Sequence, residues 1–139
     1  MVVRIVNPRT GMAISATSSA DGSPIEAIHS TGATARWRLV SSNGCYSLVN
    51  VGTGKALDNP DGSREDGTTM QLWTYIPGNA NQTWCFTGVG PSLYSLLGYS
   101  GGCLLDLRDG GTADGTVIQQ WGAPPQYPDD NQTWRLVQA

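Results

Sequence analysis

Charge is scarce in this chain of 139 residues: Asp, Glu, Lys and Arg together make up 14% of it. Eight basic residues against eleven acidic ones leave a net charge of -3 and gather into no basic patch, which argues against nucleic acid as a partner. No apolar run approaches the ~18 residues that a membrane-spanning helix needs, so no membrane insertion is expected, and no signal peptide opens the chain. Histidine occurs once, at His29, so Ser-His-Asp or Cys-His catalysis would have to pass through that residue, which reads as a surface or loop position. Neither common glycine-rich phosphate loop is found. Cysteine is limited to Cys45, Cys85 and Cys103, an odd number without metal-ligand spacing. They read mainly as small core residues; the alternative is one disulfide, Cys45–Cys85, because both flank one repeat. No cofactor or metal is expected.

Helical periodicity longer than one turn is also missing, and what replaces it is repetition. Residues 105–134 read LDLRDGGTADGTVIQQWGAPPQYPDDNQTW, and residues 57–84 read LDNPDGSREDGTTMQLWTYIPGNANQTW. Asp58 is followed 13 positions later by Gln71, then by Trp73 and by Asn81-Gln82-Thr83-Trp84. Asp106 is followed 13 positions later by Gln119, then by Trp121 and by Asn131-Gln132-Thr133-Trp134. A third, eroded copy precedes them, with Ser15 in place of the Asp, Ile28 in place of the Trp, and Thr34-Ala35 in place of Asn-Gln. Asp21-Gly22, Asp66-Gly67 and Asp114-Gly115 keep one offset throughout, and Trp37, Trp84 and Trp134 close the copies 47 and 50 residues apart. Internal repeats at this period imply units that cannot bury an apolar face alone and must close on one another.

Each unit holds four short β-branched or alternating runs separated by Gly, Pro, Asn and Asp. The runs are 2–6, 12–16, 25–29 and 37–40; then 46–49, 56–58, 69–73 and 83–86; then 94–97, 103–107, 117–121 and 134–137. The expected fold is all-β: twelve short strands with pseudo-threefold symmetry, one domain over 1–139 with repeats at about 1–41, 42–88 and 89–139. Trp37, Trp84 and Trp134 are expected to form its core, each able to bury roughly 150–250 Å².

The pattern LD…Q-x-W…NQ-x-W, well kept in two of the three repeats that cover essentially the whole chain, resembles the ricin B-chain type β-trefoil, found in lectins and in carbohydrate-binding modules of xylan- and galactan-degrading enzymes. The resemblance implies six strands in a short barrel, three capping hairpins and a shallow sugar site on each repeat, usually for galactose or N-acetylgalactosamine. The chemistry agrees independently. A sugar offers hydroxyls that donate and accept, and a weakly apolar face; recognition needs a pure acceptor, a bifunctional amide and a flat aromatic. Asp58 and Asp106 supply the acceptor, Asn81 and Asn131 the amide, Trp73 and Trp121 the platform. Gln82 and Gln132 bind or buttress the Asp, while Gln71 and Gln119 orient the site through backbone bonds. The plainer reading makes the Asp and Asn residues turn formers and puts Trp73 and Trp121 in the core, with Tyr75 and Tyr127 as other platforms.

Hydrolysis of a glycoside needs two facing carboxylates, and Asp58 and Asp106 hold one position in different repeats, so the chain reads as a binder of glycans or glycoconjugates, not an enzyme. Two alternatives stand: a xylan- or galactan-binding module cut from a hydrolase, and a trefoil protease inhibitor presenting loop 122–130. That loop, longer than 74–80 and bearing three prolines, is expected to make the third repeat the tighter site by about 1 kcal/mol. Asn81-Gln82-Thr83 and Asn131-Gln132-Thr133 are N-glycosylation sequons whose glycans would cover the sites, which points to a cytoplasmic, non-classically secreted or bacterial protein.

Overall fold

The structure, a computed structural model, describes residues 1–122 and 129–139. Its twelve strands are β1 (Val2–Val6), β2 (Ala13–Ala16), β3 (Ile25–Ile28), β4 (Trp37–Ser42), β5 (Cys45–Asn50), β6 (Ala56–Asp58), β7 (Gln71–Trp73), β8 (Thr83–Gly90), β9 (Leu93–Gly98), β10 (Leu104–Leu107), β11 (Thr116–Trp121) and β12 (Trp134–Gln138). Between them the described chain makes only one-turn 3-10 segments, as expected where Gly, Pro and Asn break up short apolar runs.

Six strands close a barrel. β1 pairs with β12, β12 with β9, β9 with β8, β8 with β5, β5 with β4, and β4 returns to β1. Closure leaves this ring no open edge, the usual remedy for unpaired strand amides. The other six form three hairpins, β2–β3, β6–β7 and β10–β11, which cap one end. The hairpins lean on one another: β11 pairs with β3, Pro24 bridges to Gln71, and Thr69 bridges to Gln119. The chain is thus a β-trefoil with β1–β4, β5–β8 and β9–β12 as its repeats.

The three closing tryptophans lie at its centre. Trp37, Trp84 and Trp134 are fully buried, and each indole N–H donates to the carbonyl of the strand residue just before the site position: Ile14 (2.8 Å), Leu57 (3.1 Å) and Leu105 (3.2 Å). A buried indole needs such a partner, so one bond repeated three times fixes ring orientation and strand position together. Leu39, Phe86 and Leu136, two residues after each tryptophan, pack against the same core.

Cysteine requires a correction. Cys45 and Cys85 are not two small core residues but a disulfide closing a separation of 40. The cause is the register of β5 against β8, where Tyr46 faces Trp84, which brings the two Cα atoms within 4.9 Å. Cys103 is the buried free thiol, and burial pushes its pKa up, so it behaves as a small inert apolar residue.

Candidate functional site

Two clefts open on the capping hairpins, at equivalent places in the second and third repeats. The cleft of the second repeat (the second cleft), about 400 Å³, is lined by Asp58, Pro60, Asp61, Gln71, Trp73, Ile76, Asn79 and Asn81, and is roomy enough for a sugar ring. The cleft of the third repeat (the third cleft) is lined by Asp106, Asp109, Gln119, Trp121, Asp129 and Asn131. The residues singled out from the repeat therefore converge: acceptor, platform and amide meet at each cleft.

The pairing of each hairpin brings Asp and Gln together. Asp58 faces Gln71 across β6–β7, and Asp106 faces Gln119 across β10–β11. Gln71 Nε2 donates to Asp58 Oδ1 at 3.0 Å, and Gln119 Nε2 donates to Asp106 Oδ1 at 3.0 Å. This corrects the expectation that these glutamines act through the backbone: they hold the carboxylates directly. Gln82 is buried, donates to Asp58 Oδ2 (3.0 Å) and to the Thr74 carbonyl (2.9 Å), and accepts from the Ile76 amide (2.9 Å). Gln132 is equally buried and donates to the Gly122 carbonyl at 3.4 Å. Gln82 thus buttresses its carboxylate directly, while Gln132 is tied to the connection that follows Trp121.

The carboxylates themselves are 6% and 5% exposed. Burial pushes the pKa of both above the ordinary 3.8, against the downward pull of the glutamine donors. A desolvated carboxylate with oxygen lone pairs still facing a cleft is a strong acceptor for hydroxyl groups.

Trp73 and Trp121 are not core. They are 39% and 46% exposed, and sit at the ends of β7 and β11 with a face on the cleft. Each is braced by the Asp-Gly turn of the preceding repeat. Asp21 accepts from the Thr74 amide and hydroxyl, both at 2.8 Å, and Asp66 accepts from the Gly122 amide at 2.8 Å. Gly22 and Gly67 lie against the two indoles with positive φ; a Cβ at Gly67 would stand 3.7 Å from Trp121. An ion pair, Lys55 to Asp21 at 3.0 Å, adds to the first brace.

The first repeat keeps this frame without the site. Ser15 faces Glu26 in the register that pairs Asp58 with Gln71, but its hydroxyl is buried on the Ala13 carbonyl. Asp114 braces the residue after Ile28 as its counterparts do, accepting from the His29 amide at 2.7 Å. The exposed His29 ring spans Asp114 Oδ1 (2.7 Å) and the Thr10 carbonyl (2.9 Å), and these bonds raise its pKa, the Thr10 contact foremost. Among the described residues no cluster of three His, Cys, Asp or Glu could hold a metal ion.

Several lining residues were not read from the sequence. Asp61 and Asp109 adopt positive φ (55° and 54°) beside Gly62 and Gly110. Their signal was present, since each follows the site Asp by three positions in both copies. Ile76, and not Tyr75, lines the second cleft. Asn79 and Asp129 accept from the amides of Asn81 (2.8 Å) and Asn131 (2.9 Å), and so shape the turns that present them. Expectations placed on loop 122–130, including its Tyr127 platform, its wall beside the third site and its inhibitory role, fall on 123–128, outside the described residues.

Comparison with known proteins gives one direction. Residues 33–121 match the family of ricin-type beta-trefoil lectin domain-like proteins. The fold is similar to that of ThreeFoil, a designed threefold-symmetric protein, with TM-score 0.91, 32% identity and 99% of each chain covered. It is similar to an exo-beta-1,3-galactanase from Clostridium thermocellum, with TM-score 0.90 and 32% identity over 99% of this chain but 30% of that one. It also resembles a Macrolepiota procera ricin B-like lectin solved with lactose, with TM-score 0.82 and 19% identity, covering 100% of this chain and 96% of the other.

Proposed function

The chain belongs to the ricin-type beta-trefoil lectin domain-like family, and from that premise we propose that it is a non-catalytic binder of glycans carrying galactose or N-acetylgalactosamine, with one site in each of the second and third repeats. The observation that carries this reading is the duplicated set of a buried carboxylate, a carboxamide and a part-exposed indole on one cleft. Asp58 or Asp106 accepts from a pair of sugar hydroxyls, Asn81 or Asn131 bonds one of the same hydroxyls, and Trp73 or Trp121 lies under the C–H face of the ring. Lactose and GalNAc in complexes of lectins of this fold support the sugar class.

A monosaccharide has about a dozen heavy atoms, and at ~0.3 kcal/mol for each the affinity is near millimolar. Useful binding then comes from both clefts engaging one glycan surface. Titration calorimetry with lactose tests this: two weak sites are expected, falling to one in Asp58→Ala or Asp106→Ala and to none in the double variant. A double variant that still binds moves the site elsewhere.

A second reading, a galactan-binding module of a larger enzyme, is favoured by the match to the galactanase, of which this chain spans less than a third. Clear preference for β-1,3-galactan oligomers over lactose would select it. Of the expected compartments, an oxidising one outside the cytoplasm fits the Cys45–Cys85 disulfide best.

A further inference from the structure

The first repeat has no site of its own, yet it reaches the third cleft. Arg9, in the turn between β1 and β2, donates through Nη2 to Asn131 Oδ1 at 3.1 Å and to the Gly110 carbonyl at 3.2 Å. Its turn is fastened to the third repeat. Asn7 is fully buried, accepts from the amides of Arg9 (3.2 Å) and Thr10 (3.1 Å), and donates to the Asp130 carbonyl at 2.9 Å. That carbonyl adjoins Asn131 in sequence, so one buried amide sets both the arginine and its target.

The second cleft lacks the device. The turn in the corresponding place belongs to the third repeat, where the Gly98 amide bonds the Cys103 carbonyl as the Asn7 amide bonds that of Met12. Gly98 therefore stands for Asn7 and Ser100 for Arg9, and among the described residues no guanidinium hydrogen-bonds Asn81 as Arg9 does Asn131. Among the described residues the Asn81 side chain makes no hydrogen bond, so either end of its amide can turn to a ligand. Asn131 has no such freedom: a guanidinium only donates, so Oδ1 must face Arg9 and Nδ2 is left for the ligand.

We propose that Arg9 is a positioning and selectivity residue of the third cleft, making it a site for a sugar hydroxyl that accepts from Asn131, while the second cleft takes ligand donors or acceptors there. The inference rests on the glycan reading of the two clefts. Holding the amide before binding removes part of the ordering cost and polarises its N–H, so the third cleft is the tighter one. An ammonium in place of that hydroxyl can still donate to the carboxylate of either cleft but cannot accept from Asn131, so it is bound less well at the third cleft relative to the second.

The test isolates each cleft in the whole chain, using Asp58→Ala to leave the third and Asp106→Ala to leave the second. The probes are methyl galactoside and its set of monodeoxyamino derivatives. Arg9→Ala is expected to weaken galactoside binding about fivefold at the third cleft, the worth of one hydrogen bond, with no change at the second. It should also erase the difference between the clefts towards the amino derivative at the position facing residue 131. Arg9→Lys should retain part of both effects, and the Asn131 side-chain amide signals in the nitrogen–proton NMR spectrum of the ligand-free protein should move in Arg9→Ala but hardly in Arg9→Lys. Unchanged third-cleft affinity, an equal loss at both clefts, or an unmoved Asn131 signal overturns the proposal while the glycan reading stands. Absence of galactoside binding at both clefts overturns that reading and this inference with it.

Discussion

The first repeat and the other two are built on one frame, yet only the latter two carry a cleft with the full set. Ser15 faces Glu26, Asp58 faces Gln71 and Asp106 faces Gln119 in one register, and the same indole-to-carbonyl bond closes all three units. What differs is a handful of polar side chains and the connection after the platform strand. Ile28 is separated from Thr34 by six positions, whereas Trp73 is separated from Asn81 by eight. Beneath that shorter connection the fully buried Ala35 occupies the place of the fully buried Gln82, so no amide stands ready to hold a carboxylate at position 15. The lesson is that the apolar skeleton and the site chemistry are separable: the barrel demands the tryptophans of all three repeats and is indifferent to the acid–amide–indole set.

That separation can be broken hardest at the core. Trp37→Ala and Trp134→Ala should each lose about 3–5 kcal/mol of stability, measured by denaturant unfolding, although one tryptophan closes the siteless repeat and the other a cleft-bearing one. A much smaller loss for Trp37 would mean that the first repeat does not share the load.

The site side of the comparison comes next. Asp58→Ala and Asp106→Ala should each weaken binding at their own cleft about 10- to 100-fold, the range for a hydrogen bond to a charged group, and change the melting temperature little. Melting with retained binding would restore the turn-former reading of these residues.

Acid should reach the clefts before it reaches the fold. Asp58 and Asp106 have folded-state pKa values above 3.8, so both protonate while unfolded-state carboxyls are still ionised. The native state takes up these protons first, and their protonation therefore adds stability as pH falls. The bound sugar loses its acceptor over the same range. Asp21 and Asp114 are held below 3.8, by Lys55 and Thr74 and by His29 respectively, and the stability that they contribute is lost only at lower pH. Calorimetry against pH should show affinity falling above pH 3.8 with the thermal transition intact; affinity and fold lost together would contradict it.

The smallest effect concerns the braces between repeats. Asp21→Ala should loosen Thr74 behind Trp73 and weaken the second cleft about two- to fivefold, and Asp66→Ala should do the same for the third through Gly122. Asp114→Ala, which braces the siteless repeat, should leave galactoside affinity unchanged in the same titrations.

The strands were legible because each is a short alternating run bounded by residues that stop it, and all twelve lie where those runs do, with ends moved by a few residues at most. The convergence of Asp, Trp and Asn was legible because duplication marks positions that must meet. Asp61 and Asp109 carried the same mark, but an Asp-Gly pair reads first as a turn, and only their positive φ places them on the clefts. Gln71 and Gln119 were located but misassigned, since spacing alone does not say whether an amide reaches backbone or carboxylate.

By itself, then, the sequence determined the threefold plan, its strands, its three core tryptophans and the two repeats that carry the acid–amide–indole set, because all of these are written in local periodicity and repeated spacing. Only the tertiary structure decided what depends on neighbours distant in the chain. The pairing of Cys45 with Cys85 follows from the register of β5 on β8. Asp21 and Asp66 serve the repeat after their own because the hairpins lean on one another around the threefold axis. Arg9 meets Asn131 across 122 residues because barrel closure sets the first repeat against the third, and no pattern along the chain encodes a contact made by closing a ring.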